Sequence, residues 1–205
     1  MVVVSWYAPL GVTIQFSRSP TSVILKANVH RSGDELAMVA AKNRTSQPGY
    51  EVCTLDNVVV LVWRMPPTIK GVEHCDRALN ALRATHPGKK LGFLTYVEPA
   101  AQQGAPPPLV RNALSQMLKT HESALRATVI IYEGTGFKAT IVRSVVTAIN
   151  LASSLKFQSS VSADRASGSA WLINAMQGET FTTAMDVLNV LRNLPQPAVV
   201  GSARL

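Results

Sequence analysis

Residues 58–63 read Val-Val-Val-Leu-Val-Trp, six apolar side chains in succession, and Arg64, Met65, Pro66 and Pro67 close the run. A run this short, rich in β-branched residues and stopped by a proline pair, has the length and chemistry of a strand. Side chains of a strand point alternately to its two faces, so a strand apolar at every position needs cover on both. It belongs in the middle of a sheet with helices on each side, which is the arrangement of an α/β fold. Residues 50–55 (Tyr-Glu-Val-Cys-Thr-Leu) form a second β-rich run immediately upstream. Asp56-Asn57 joins the two as a two-residue linker of the kind that accepts positive φ, which predicts a tight hairpin.

The chain beyond the hairpin alternates between two periods. Thr68 is placed to cap a helix whose apolar residues are Val72, Cys75, Ala78, Leu79 and Leu82, ending at His86-Pro87-Gly88. A strand at 91–97, a loop rich in Pro, Ala and Gln at 98–107, and a helix striped by Val110, Ala113, Leu114, Met117, Leu118 and Leu125 follow. Residues 127–132 read as a third buried strand, the turn at 133–136 opens a helix carrying Ile141, Val142, Val145, Val146 and Ile149, and 155–161 reads as a last strand. Two C-terminal helices are predicted at 167–176 and 181–194, the second capped by Thr182 or Thr183 and stopped by Pro195. Its stripe of Phe181, Met185, Leu188 and Leu191 has to cover either the sheet of its own chain or a second subunit, so a homodimer stands among the expected partners. The order from Tyr50 is β-β-α-β-α-β-α-β-α-α, an α/β fold with a mixed sheet that opens on a hairpin.

Residues 1–48 lack this regularity. They mix β-prone pieces at 12–16 and 22–29 with Ser, Arg and Pro, and only 35–42 hints at a helix. A leader from an upstream start codon and a genuine N-terminal hairpin both fit. The organisation expected is an N-terminal extension at 1–48, an α/β domain at 49–176, and a C-terminal helix and tail at 177–205.

Composition narrows the function classes. The 205 residues are 47% hydrophobic and 16% charged, against about 25% charged in an average globular chain. Disorder, collagen and coiled coil are excluded for the whole. The formal net charge of +8 suggests a polyanionic partner until its distribution is read. Residues 1–50 carry five basic and two acidic side chains, 51–133 nine and seven, and 134–205 six and three, with no cluster denser than Lys89-Lys90 and no interleaved aromatics. That spread argues against a nucleic-acid partner. No apolar run is long enough to cross a bilayer, and the first residues lack the basic flank of a secretory signal. Cys53 and Cys75 sit among apolar neighbours without metal-ligand spacing. A cytoplasmic protein without metal or cofactor is the expectation.

From the hairpin at 50–64 through the Ser169-Ala170-Trp171-Leu172 helix, about 125 residues, the chain resembles the STAS-like fold of anti-sigma-factor antagonists and their relatives. The resemblance rests on element order, on the opening hairpin, and on a short last strand followed by a polar turn (Ser162, Asp164) and an Ala/Trp/Leu helix. It implies a regulatory domain that acts by protein contact, with an anti-sigma-like or kinase-like partner. It also implies a regulatory serine in an Asp-x-Ser-Gly motif after the second parallel strand, and this sequence departs from that motif. Glu98-Pro99-Ala100-Ala101 stands there, with no hydroxyl residue until Ser115. Glu98 is therefore a candidate switch-position group imitating a permanent phosphate, beside the plainer reading of a hydrated loop acid.

Gly134, Thr135, Gly136 and Lys138 form the other candidate site. They leave a strand and open a helix, where unpaired N–H groups favour an anion. With Ala139 they satisfy a relaxed Gly-x-Gly-x-x-Ala fingerprint, although the Gly-Lys-Ser/Thr ending of a nucleotide loop is missing. A tight turn needing positive φ explains the same glycines without a ligand. His30, His74, His86 and His121 form no His-x-x-x-His pair and read as surface or capping residues, and no nucleophile elbow or acid pair appears. Protein contact without catalysis is the first functional expectation, and a small anionic ligand or enzyme at the 134–140 turn is the alternative.

Overall fold

The computed structural model describes residues 13–15, 18–19, 22–23, 26–28, 41–102, 105–133 and 156–193. The chain divides into two units, Met1–Met38 and Val39–Leu205. In the first, Thr13–Gln15 pairs antiparallel with Lys26–Asn28 and Arg18–Ser19 with Ser22–Val23.

The second unit is an α/β domain built on one six-stranded mixed sheet. Its strands are β1 (Lys42–Gln47), β2 (Tyr50–Leu55), β3 (Val58–Trp63), β4 (Leu91–Val97), β5 (Leu125–Tyr132) and β6 (Gln158–Ser162). Its described helices are α1 (Ile69–Thr85), α2 (Pro108–Thr120), α3 (Arg165–Ala175) and α4 (Ala184–Arg192). The first three strands are antiparallel, and β3 to β6 run parallel. The spatial order is the sequence order, β1 to β6 without exchange. The hairpin predicted at Asp56-Asn57 is present, with Asp56 at φ 47° and Leu55 opposite Val58.

Two apolar layers clothe the sheet, as the run at β3 requires. On one face Val59, Leu61 and Trp63 join Tyr50, Val52 and Phe93 under α1 and α2, which contribute Val72, Cys75, Leu79, Val110 and Met117. On the other, Val58, Val60 and Val62 join Cys53, Leu94, Val129 and Ile131 under α3 and α4, which contribute Leu172, Val187 and Leu191. Crossovers of one hand that always step to the next strand deliver α1 and α2 to the same face. Close approach depends on glycine in α1 and α3. A Cβ on Gly71 would stand under 3.0 Å from the Trp63 ring, and one on Gly168 would stand 2.6 Å from Ile131 Cγ1.

Three boundaries differ from the sequence reading. The sheet starts ahead of residue 49, because Lys42–Gln47, within the segment read as an extension, pairs with β2 as the edge strand. The last strand and the helix after it occupy Gln158–Ser162 and Arg165–Ala175, with Asp164 as N-cap accepting from the Ser167 N–H at 2.8 Å. The final helix begins only at Ala184, where Thr183 and Asp186 form a reciprocal capping box. That start moves its buried stripe to Val187, Leu188 and Leu191, and leaves Phe181 and Met185, read as part of a stripe covering the sheet or a second subunit, 82% and 55% exposed. α4 thus covers its own sheet. The helix read through 141–149 lies outside the described residues.

Candidate functional site

The carboxyl ends of the parallel strands carry a lattice of paired charges. Its origin is the two-residue period of the strands: Val58, Val60, Val62 and then Arg64 point to the α3/α4 face, as do Leu94, Tyr96 and then Glu98, and Val129, Ile131 and then Glu133. Glu51 reaches the same end from the antiparallel side, opposite Val62. Apolar side chains fill the middle of the face, and charged ones take over where the helices above it stop.

Glu51 is fully buried and receives two guanidinium groups, Arg64 from within the core and Arg44 from the edge strand. The Arg64 side chain is 4% exposed, and its Nε lies 3.7 Å from Glu98 Oε1. Farther along, Glu133 accepts from Tyr96 Oη and from Arg165 Nε, each at 2.8 Å, and the Arg165 guanidinium lies 5.5 Å from the centre of the Tyr96 ring. Arg165 is the first residue of α3, so the lattice ties the β4 and β5 ends to the helix above them. Partial burial raises the Glu98 carboxyl above its ordinary range, and Arg64 and Arg165 draw it back down. Burial, followed by the hydrogen bond to Glu133, pushes the Tyr96 phenol up. Three carboxylates thus meet three guanidinium groups. The arrangement stiffens the edge and supplies no free nucleophile.

Glu98 is at this edge. Its N–H donates to Trp63 O at 2.9 Å, and its side chain is only 26% exposed, so it is a partner of Arg64 rather than a freely hydrated acid. Gly134, Thr135, Gly136 and Lys138 lie outside the described residues, which end at Glu133 on this side. Among the histidines, His86 is the C-cap residue of α1, as expected. His121, read as a surface or capping residue, takes the C-cap of α2 but is fully buried, and its Nε2–H donates to Asp76 Oδ1 at 2.8 Å. His74 is half-buried through contact with Tyr50. No described group of three His, Cys, Asp or Glu side chains is placed to hold a metal ion, and no described helix is long and apolar enough to cross a membrane. Both cysteines are free and buried.

Sequence reasoning found Glu98 and missed Glu51, Arg64, Glu133, Tyr96 and Arg165 as a set. The signal was present as parity: each of the three carboxylates stands two residues from a core residue of its own strand. Two apolar side chains frame the edge. Met65 follows β3 and is 54% exposed, and Leu109 opens α2 after β4 and is 70% exposed. The N–H groups of Arg64 and Met65 both donate to Gly49 O, which fixes the backbone under Met65. Comparison with protein-family models, with curated proteins and with solved structures returns no match.

Proposed function

We propose that this chain is a STAS-like regulatory domain that works by protein contact at the carboxyl edge of its sheet, without chemistry of its own. The observation that carries the reading is the pair of solvent-exposed apolar side chains, Met65 and Leu109, at the edge that carries a self-neutralised charge lattice, Met65 on backbone tied to Gly49 O. Apolar groups on a preorganised edge with polar neighbours are the anatomy of a contact surface, because little ordering entropy is lost when a partner docks. The strand order supports it. Ligand clefts of open α/β sheets form where the strand order reverses and adjacent loops part, and a sheet running β1 to β6 in sequence order has no such reversal. Glu98 at the rim supplies a fixed negative group beside Arg64, in keeping with a switch position that needs no phosphorylation. The resemblance points to an anti-sigma-like or kinase-like regulator as the partner.

Affinity capture of the full chain followed by mass spectrometry tests this. One protein retained by the wild type and lost with Met65→Lys and with Leu109→Lys, but kept with Phe181→Ser at the opposite end of the sheet, is the expected outcome. Capture indifferent to Met65 and Leu109 overturns the assignment. A thermal shift with a phosphorylated metabolite that Lys138→Ala abolishes would instead favour an anion site at the 134–140 turn.

A further inference from the structure

We propose a second, independent site, a small-molecule groove for a compact monocarboxylate between α1 and the edge of the sheet. It arises because α1 lies over β2 and β3 while β1 extends beyond it, uncovered on that face by any described helix. The resulting cavity measures about 240 Å³. Ligand sites commonly enclose about 300–1,000 Å³, so this one suits a small molecule only.

The lining is what gives the groove a preference. Val52 and Leu82 form an apolar floor, and the small side chain of Ala81 on the flank of α1 keeps it open. Around the floor stand donors: the Arg77 guanidinium, the Thr45 hydroxyl and the His74 ring. Tyr50 Oη and His74 Nδ1 share a hydrogen bond of 2.9 Å, and in the tautomer that accepts from the phenol the His74 Nε2–H is left as a donor. Arg77 forms no ion pair or hydrogen bond among the described residues, and no carboxylate is among the lining side chains. An apolar floor with a rim of donors and one cation engaged in no ion pair selects a ligand that has a short hydrocarbon body and a single carboxylate. The planar guanidinium meets that group through two parallel hydrogen bonds. A polyphosphate or nucleotide would exceed both the volume and the single cation.

Benzoate is the probe, with benzyl alcohol as its uncharged counterpart. Amide and side-chain NMR spectra of the full chain are recorded across a millimolar titration, the range suited to a fragment of this size. Saturating shifts confined to Thr45, Val52, His74 and Leu82 are expected with benzoate, with binding at least about tenfold weaker for benzyl alcohol and for Arg77→Gln. Arg77 and Ala81 are both exposed, so Arg77→Gln and Ala81→Leu should leave the fold intact, and the second should abolish binding by filling the groove. Equal binding of the alcohol, retention in Arg77→Gln, or shifts that map elsewhere or never saturate would each overturn the proposal.

Discussion

Replacing Arg64 with methionine tests whether the charge lattice is structural. Glu51 is completely shielded from solvent, and the Arg64 side chain that holds it is 4% exposed. Removing one partner of a buried ion pair leaves a desolvated charge and costs about 3–5 kcal/mol. Arg44 remains on the other oxygen of Glu51 but is itself 37% exposed, so it offers only screened compensation. The lower end of that range follows, about 3 kcal/mol, or a loss of about 6–12 °C in Tm for a domain of this size. Arg44→Ala should cost about 1 kcal/mol or less, since the solvent-facing partner is the weak one. The double replacement Glu51→Met/Arg64→Met should recover most of the loss, because two apolar side chains of similar volume demand no compensation for buried charge. Urea unfolding followed by circular dichroism measures all three. An Arg64→Met midpoint indistinguishable from wild type, or an equal cost for Arg44→Ala, would refute the burial argument.

Three further outcomes are expected. Gly71→Ala should destabilise by about 1–2 kcal/mol, the overpacking against Trp63 exceeding the roughly 1 kcal/mol that alanine returns in helix propensity, and a stabilised variant in urea melts would contradict the close approach. Cys53, whose thiol burial pushes up to about 12, and Cys75, raised further by complete burial, should resist a thiol reagent in the native state and react together on unfolding. A carboxyl raised in the folded state binds its proton more tightly there than in the unfolded chain. Glu98 therefore favours folding below the ordinary carboxylate pKa, and that contribution fades as pH rises through its raised folded value. Urea midpoints at pH 4 and pH 7 should accordingly show Glu98→Gln gaining on the wild type as pH rises, and no such gain would place Glu98 in open solvent.

The legible parts of this chain were those with apolar period. β3 announced a covered central strand, and the helices over 69–85 and 108–120 followed from stripes that the core absorbs. β1 was illegible for the opposite reason. Lys-Asn-Arg-Thr-Ser-Gln has no apolar side chain, and its strand is held by backbone pairing to β2 and by Arg44 on Glu51, neither of which leaves a local pattern. Phe181 and Met185 misled because a helical stripe depends on where the helix starts, and the Thr183 capping box starts it late. Glu98 stood out as a single acid in a loop. The rest of the site depends on register between strands far apart in sequence, which sets Glu51 against Val62 and Val62 against Tyr96 before a charge can find its partner.

The unbroken strand order has a consequence for how the domain is assembled. Every ladder in the sheet joins chain neighbours, so no early strand waits for a late one to be inserted beside it. The antiparallel strands are joined by two-residue turns and each parallel strand to the next by one connection, shorter closures than a rearranged α/β sheet requires. The sheet can grow outward from the β2–β3 hairpin one βα step at a time, as a solenoid adds repeats. Growth of that sort leaves the cover of the second face until last, because α3 and α4 come after every strand. A nascent chain that has completed β5 holds an ordered ladder with Val60, Leu94 and Val129 bare on one side, the stage at which it is most exposed to aggregation and has most to gain from a chaperone.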